Sequence, residues 1–572
     1  MIVLRFIGWV GRGPCPTQAQ ECSREGKEMY NVRNIACLIG LVVIVAVATG
    51  SSAPLGNAQA PQGGTFYYNL SAEPPTLNPI TSTDASASRV QSYVMDNLME
   101  RDEDTYEWQP SLAEKVETSA DGRTFTFTIR RGAKFHDGKE ITAEDVKFSF
   151  DVILIDEFQA FQRRSYYENI ESATIIDPYT VAFTAKNKYF GNFNALADLT
   201  VLPKHVYGDV QKAKKMNKEI VGSGPYILEQ YDKGQKITLK RNKTWWGNDL
   251  PQLRGKYNFA RIVMKFVKEE NVALTMLEKG ELDFEPLTPE AYEKKTDGNA
   301  WGTKVLKFKV ENKAPKGYGF IAWNLRHPLF QTKNVRIALA YLMNRELMND
   351  KFNFGMSLLA TGPWHQHSEY ADPTVKPIPY DPAKALELLQ SEGWRDTDQD
   401  GILDKESNGT KVNFSFTLLN ANKDFEKYLV LYQGDLAKAG IRMEIKLLEW
   451  NTFITKLDEA QFDAVVLAWT GGEVDLDPKQ IWHSSSAVKG GSNFIGYQNP
   501  EVDRLIDEAR QELDKPKRIP LLQQAYRTIA ADAPYAFLFN SRFAFYAHTA
   551  RLQKVRDTFT YGVGMDFWWL QP

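Results

Sequence analysis

DGRTFTFTIRRGAKFHDGKEITAEDVKFSF, Asp121 to Phe150, holds a strand and a helix start within one short run. From Thr124 to Ile129 the residues alternate strictly, with Phe125, Phe127 and Ile129 on one side and threonines on the other. That period of two marks a half-buried strand, entered from a turn at Asp121-Gly122. Thr142 followed by Asp145 resembles a capping box, in which hydroxyl and carboxylate each satisfy a backbone N–H at a helix start. Val146, Ser149 and Phe150 continue at helical spacing. The chain therefore reads as α/β.

The pattern continues on both sides. Tyr226–Gln230 and Lys236–Lys240 read as a hairpin about Asp232-Lys233-Gly234. Val335, Ala338, Leu339 and Leu342 share one helix face. Asp381-Pro382 and Asn499-Pro500 each place a capping side chain before a proline in the first turn, a helix-start device. After Asn499, Val502, Leu505, Ile506, Ala509 and Leu513 form one apolar stripe. No internal repeat or low-complexity tract interrupts the chain.

The chain has 572 residues, enough for several domains, with 43% hydrophobic and 25% charged residues. Lys+Arg is 69 against Asp+Glu 72, which excludes the basic excess of a nucleic-acid binder. Ile35–Thr49 is an apolar run preceded by Arg33 and followed by Gly50, Ser51, Ser52 and Ala53. It is shorter than the roughly 20 residues of a membrane span and has the order of an export signal. Cleavage is expected after Ala58, with Gly56 as the other small residue, and Met29 is a plausible start. Residues 1–60 are read as the signal region. They carry five basic and three acidic residues, so removing them moves the net charge from −3 to −5. All three cysteines, Cys15, Cys22 and Cys37, lie there, which excludes a disulfide framework or a cysteine nucleophile in the exported product.

Several ordered segments resemble the peptide-class, family 5 extracytoplasmic solute-binding proteins of ABC importers, the dipeptide- and oligopeptide-binding proteins. Besides Asp121–Phe150, they are Glu73-Pro74-Pro75-Thr76-Leu77-Asn78-Pro79, GSGPY at Gly222–Tyr226, Gly280-Glu281-Leu282-Asp283, Val335-Arg336-Ile337-Ala338-Leu339 and GSNFIGYQNPEVDRLIDEAR at Gly491–Arg510. The resemblance implies a two-lobed periplasmic-binding-protein-like fold of the large type, with an extra inserted domain, mixed sheets and an interlobe cleft. Domain I would combine 61–95, 218–315 and 535–572, domain II would be 96–217, and domain III 316–534. The lobe crossings would lie near Ala322-Trp323-Asn324 and Ala533-Pro534. The implied function is capture of peptides by hinge closure and delivery to a membrane permease, by a periplasmic monomer that needs no cofactor and is not an enzyme. Nickel or a metallophore, or an oligosaccharide, remain alternative solutes, and a secreted hydrolase is the alternative of a different class.

The resemblance also places the cleft. Ala72 and Glu73 end the first strand, Leu419 and Asn420 end FSFTLL, and Trp469, Thr470, Gly471 and Gly472 follow an apolar strand. Dipeptide-binding members hold the peptide ammonium with a carboxylate where Gly472 stands here. Asp475 or Asp477 is expected to take that role, with Glu473 a weaker choice. Those members also hold the peptide carboxylate with an arginine near Asn420. None stands there, although Lys423 is close, so a peptide longer than two residues, or a different solute, fits better.

Other motifs carry less. Asp396–Asp404, DTDQDGILD, is the front half of a calcium loop, but position twelve is Ser407 where glutamate is expected, so an Asx-rich turn is the preferred reading and calcium the alternative. His365 and His367 have no third ligand, so no metal site is expected. Gly222-Ser223-Gly224-Pro225 lacks the lysine of a phosphate loop. No H-E-x-x-H or G-x-S-x-G occurs.

Overall fold

The computed structural model describes residues 60–571 apart from 83, 408 and 470–473. The expected export segment and the three cysteines fall outside them. No helix among the described residues is long and apolar enough to cross a membrane.

The strand expected at Thr124–Ile129 forms there, with Phe125, Phe127 and Ile129 buried. It lies second in a four-stranded sheet between Ala113–Thr118 and Thr180–Ala185, with Ile170–Asp177 beyond. The helix after it runs Ala143–Leu154 and begins with the expected Thr142/Asp145 capping box. Asn499 caps Pro500–Gln511 by accepting from Glu501 and Val502 N–H. Of its expected stripe, Val502, Leu505, Ile506 and Ala509 are buried, but Leu513 lies past the helix end and is exposed.

Two larger sheets carry the lobes. A seven-stranded sheet orders Val305–Glu311, Phe543–Thr549, Phe284–Pro286, Thr65–Asn69, Arg261–Lys265, Lys236–Arg241 and Tyr226–Asp232. A six-stranded sheet orders Ser357–Leu359, Tyr535–Ser541, Tyr318–Trp323, Ala464–Trp469, Ser415–Asn420 and Arg442–Leu447. The cores follow the same division. One continuous core joins the seven- and four-stranded sheets, from Phe66 to Leu70 through Ile262 to Leu570. Two others cover the opposite faces of the six-stranded sheet, one around Phe320, Val465 and Phe537, the other around Ile321, Val466 and Leu538. None of these apolar clusters spans both lobes among the described residues.

The crossings need correction. Ala322 and Trp323 lie inside the Tyr318–Trp323 strand, and Tyr535–Ser541 pairs with that same strand in the second lobe. Two-sided burial of Tyr535, Ala536, Phe537 and Leu538 holds that strand in the second lobe. The chain instead crosses between Glu311 and Tyr318, and again at Arg542. Arg542 Nε binds both Glu311 carboxylate oxygens at 3.2 Å, tying the two crossings together.

GSGPY has a steric reason. Gly224 N–H donates to the Val94 carbonyl at 2.9 Å, and a Cβ on Gly224 would stand 2.7 Å from the Val94 carbonyl carbon. A Cβ on Gly222 would meet the Val94 oxygen still more closely. Both obstacles are backbone at the end of the Ala85–Val94 helix, so neither can rotate away. Gly222→Ala is expected to lower stability by about 2–3 kcal/mol, as overpacking does. A urea-unfolding midpoint equal to that of the parent would refute this.

Candidate functional site

The parallel strands Thr65–Asn69, Arg261–Lys265 and Phe284–Pro286 end together on one edge of the first lobe. Ligands of α/β sheets gather outside such carboxyl ends. From this edge the Pro289–Lys294 helix reaches the second lobe, where the Lys294 ammonium lies 4.9 Å from the centre of the Phe354 ring. At the other side, Tyr189 donates its hydroxyl to Asp477 Oδ2 at 2.7 Å and Phe190 N–H donates to the Arg510 carbonyl at 3.0 Å. Arg510 stacks over Tyr189 and also binds Asp477 Oδ2 at 3.0 Å. The two lobes thus touch at two separate places.

Asp475 and Asp477 lie beside these interlobe contacts and differ in their partners. Asp477 has both oxygens engaged, Oδ2 as above and Oδ1 by Lys479 N–H. Asp475 accepts from Tyr370 at 2.8 Å and Arg518 at 3.4 Å, both on Oδ1. Among the described residues Oδ2 carries no hydrogen bond. Burial raises the Tyr561 phenol of the first lobe above its ordinary range, and the charges of Glu369 and Asp475 add to this while Lys515 opposes it.

Ala72 N–H closes a tight turn on the Leu70 carbonyl at 2.6 Å. Glu73 ties down the neighbouring hairpin, accepting from Tyr231 at 3.0 Å and Gly234 N–H at 3.1 Å. Asn420 is buried and folds onto Asn422, donating to its carbonyl and accepting its N–H, while Leu419 is core. Thr470, Gly471, Gly472 and Glu473 lie outside the described residues.

Trp469 is the expected residue with the most informative surroundings. It pairs across the sheet with Tyr318, and Tyr318 pairs with Asn540 on its other side. A register shift between Tyr318 and Phe320 brings Asn540 into this row. The row sits at the crossing end of the sheet. Tyr318 OH, Trp469 Nε1 and Asn540 Nδ2 are all buried and have no hydrogen-bond partner among the described residues, and neither has Gln366 Oε1 alongside. The Trp469 indole approaches the Tyr535 hydroxyl, and Trp482 that of Tyr318, without reaching hydrogen-bond geometry. Unpartnered buried polar atoms also occur in the cores, Trp323, Trp394 and Trp568 Nε1 among them, and this row differs from those in lying at the crossing end of the sheet. Tyr318 and Asn540 had no signal in the sequence, because the row exists only through strand pairing distant in the chain.

Two glutamates of the first lobe were also missed. Glu290 on the Pro289–Lys294 helix is buried with Oε2 unpartnered among the described residues, and Lys427 of the second lobe acts on its charge. Glu285 is buried and accepts from Asn69 Nδ2 at 3.1 and 3.2 Å. Burial pushes its carboxyl from 4.5 to about 8. Glu285 thus stays protonated in the folded protein where the unfolded chain would ionise it. Its stabilising effect is complete below about pH 4.5 and is lost as pH rises through about 8. Glu285→Gln is expected to flatten that slope and to raise stability at pH 8 by a few kcal/mol at most, at about 1.4 kcal/mol per unit. Parallel pH–stability curves for parent and variant would refute it.

The remaining motifs resolve locally. Carboxylate oxygens of Asp396, Asp398 and Asp404 come within 4.8 Å of one another, and the Lys411 ammonium binds Asp398 and stands 3.4 Å from Asp404. His365 and His367 rings lie 5.3 Å apart, and burial lowers His365 to about 4. Its Nε2 is held by the Ser541 carbonyl.

Comparison with known proteins places this geometry. Residues 107–491 match the model of the bacterial extracellular solute-binding proteins, family 5 middle region. The chain is 30% identical to the oligopeptide-binding protein AppA of Bacillus subtilis over 524 residues, covering 88% of this chain and 92% of that one. It is 26% identical to a di/tripeptide-binding protein of Pseudomonas aeruginosa over 475 residues, 78% of this chain and 82% of that one. The structure of Bacillus subtilis AppA in complex with a nonapeptide superposes with a TM-score of 0.73 at 29% identity, over 90% of this chain and all of that one.

Proposed function

This chain belongs to family 5 of the bacterial extracellular solute-binding proteins, and from that premise we propose that it captures peptides between its lobes and hands them, unaltered, to an ABC permease. The relatives named for oligopeptide and di/tripeptide binding support the peptide class. The observation that carries the reading in this chain is the row of Tyr318, Trp469 and Asn540, whose polar groups are buried and unpartnered. An extended peptide offers backbone carbonyls and N–H groups at a fixed repeat, so main-chain recognition serves many sequences. The indole and amide N–H groups meet peptide carbonyls, and Asp475 Oδ2 meets the ammonium end. Asp477, saturated by Tyr189, Arg510 and Lys479, clasps the closed lobes instead of holding ligand.

The division follows the corrected crossings. A first lobe is built from 61–95, 218–311 and 543–572 with the 96–217 domain, and a second lobe from 318–541. Closure about the paired crossings lets a ligand that touches both lobes favour the closed form by its extra contacts. The exported protein works in the periplasm, without chemistry on its cargo.

Native mass spectrometry of the purified protein is expected to reveal co-purified masses that fragment as peptides. A peptide at one hundred times its Kd should stabilise the protein by about 2.7 kcal/mol and be recovered intact after incubation. Binding of a nickel chelate or oligosaccharide with no response to any peptide mixture would overturn the reading, and so would peptide cleavage.

A further inference from the structure

The second lobe holds a crevice with a volume of about 400 Å³, whose Tyr535 and Phe537 also border the row of Tyr318 and Trp469. It lies between the Lys333–Tyr341 helix, the last turn of the Lys515–Asp532 helix and the Tyr535–Ser541 strand, with Val375–Ile378 as its outer wall. Its volume falls within the range of small-molecule sites. Ile337, Met343, Ala530 and Phe537 give it an apolar body. Every charged residue lining it is basic: Lys333, Arg345, Lys376 and Arg527.

Arg345 makes this more than an apolar hole. It is 6% exposed. Its Nη1 donates to the carbonyls of Ala360 and Phe537, and its Nη2 to that of Ile378. No described carboxylate stands within ion-pair distance of it, and the one acidic neighbour acting on it is Glu346. A guanidinium has five N–H groups, and these bonds engage three. A buried cation answered only by carbonyl dipoles is poorly compensated, and an anion is the natural complement. Burial lowers its pKa to about 10, in keeping with that deficit. Arg527 at the crevice is paired with Asp372, whereas Lys333 and Lys376 are exposed and have no described carboxylate within ion-pair distance.

The geometry points to a second ligand site here, for a small organic anion with an apolar tail, a medium-chain monocarboxylate, its head toward Arg345 and the lysines and its tail against Ile337, Met343 and Ala530. This site is independent of the peptide reading.

Calorimetric titration of the full chain with octanoate tests it, with 1-octanol as the uncharged control. One saturable site is expected, with octanoate binding at least about tenfold tighter than the alcohol, as hydrogen bonds to charged groups allow. Ala530→Phe fills the crevice and should lose octanoate by about tenfold or more. Lys376→Glu, an exposed change that leaves packing intact, should weaken it several-fold even if the filled variant misfolds. No octanoate binding at millimolar concentration overturns the proposal, as does equal binding of octanol. Binding untouched by either substitution overturns it as well, since it would then lie elsewhere, the interlobe gap included.

Discussion

Arg336→Met is expected to lower the stability of the second lobe by about 3–5 kcal/mol, the scale of leaving several buried partners unpaired. Arg336 belongs to the VRIAL segment, and its side chain gathers four backbone carbonyls. Nε reaches Asp532 and Ala533 at 3.2 Å, Nη2 reaches Asp532 at 2.7 Å, and Nη1 reaches Phe330 at 2.7 Å and Gln331 at 2.9 Å. Asp532 and Ala533 end the Lys515–Asp532 helix, whose last carbonyls have no intrahelical donors. Ala533 turns into the left-handed region at φ 46°, aiming the chain into the Tyr535–Ser541 strand. One guanidinium thus caps a helix, steadies a turn and braces the strand that leads to the crossing. Methionine keeps the stem but supplies no donor. Lysine, with three donors on one nitrogen, should recover only part of the loss. Urea unfolding followed by tryptophan fluorescence measures it, and a methionine variant within about 1 kcal/mol of the parent would sink the account.

Local devices were legible in the sequence and distant pairings were not. The Thr142/Asp145 box and the Asn499 cap each depend on residues within three positions, so their chemistry is visible in the string. The misplaced second crossing shows the opposite case. Whether Tyr535–Ser541 joins one lobe or the other turns on its pairing with Tyr318–Trp323, more than 200 residues earlier, and both strands are apolar enough for either sheet. The carboxylates divide in the same way. The resemblance singles out Asp475 and Asp477, and both lie beside contacts between the lobes. Which of them has an oxygen without a hydrogen bond among the described residues turns on Arg510, Arg518, Tyr189 and Tyr370, all remote in sequence. Arg336 was recognised as part of a motif, yet its role as a collector of carbonyls follows only from helix packing.

The row at the crossing end of the second sheet makes a prediction in which stability and affinity move in opposite directions. Tyr318 OH is buried and unpartnered among the described residues, so the ligand-free protein carries the penalty of a desolvated hydroxyl. Tyr318→Phe removes that group while keeping the ring near Phe320 and Phe537. The ligand-free variant should therefore be about 1 kcal/mol more stable than the parent. If the hydroxyl meets the backbone of a bound peptide, the same change should weaken peptide binding roughly tenfold. Adding Trp469→Phe, which deletes the second orphaned donor, should extend the loss to about a hundredfold, less whatever the smaller ring costs in packing against Phe320. A residue serving only the core would behave otherwise, losing stability with affinity untouched. Differential scanning calorimetry of the ligand-free proteins and isothermal titration with one oligopeptide separate the two cases. If Tyr318→Phe is less stable and binds as tightly as the parent, the row is packing, and the peptide backbone must be recognised elsewhere in the gap.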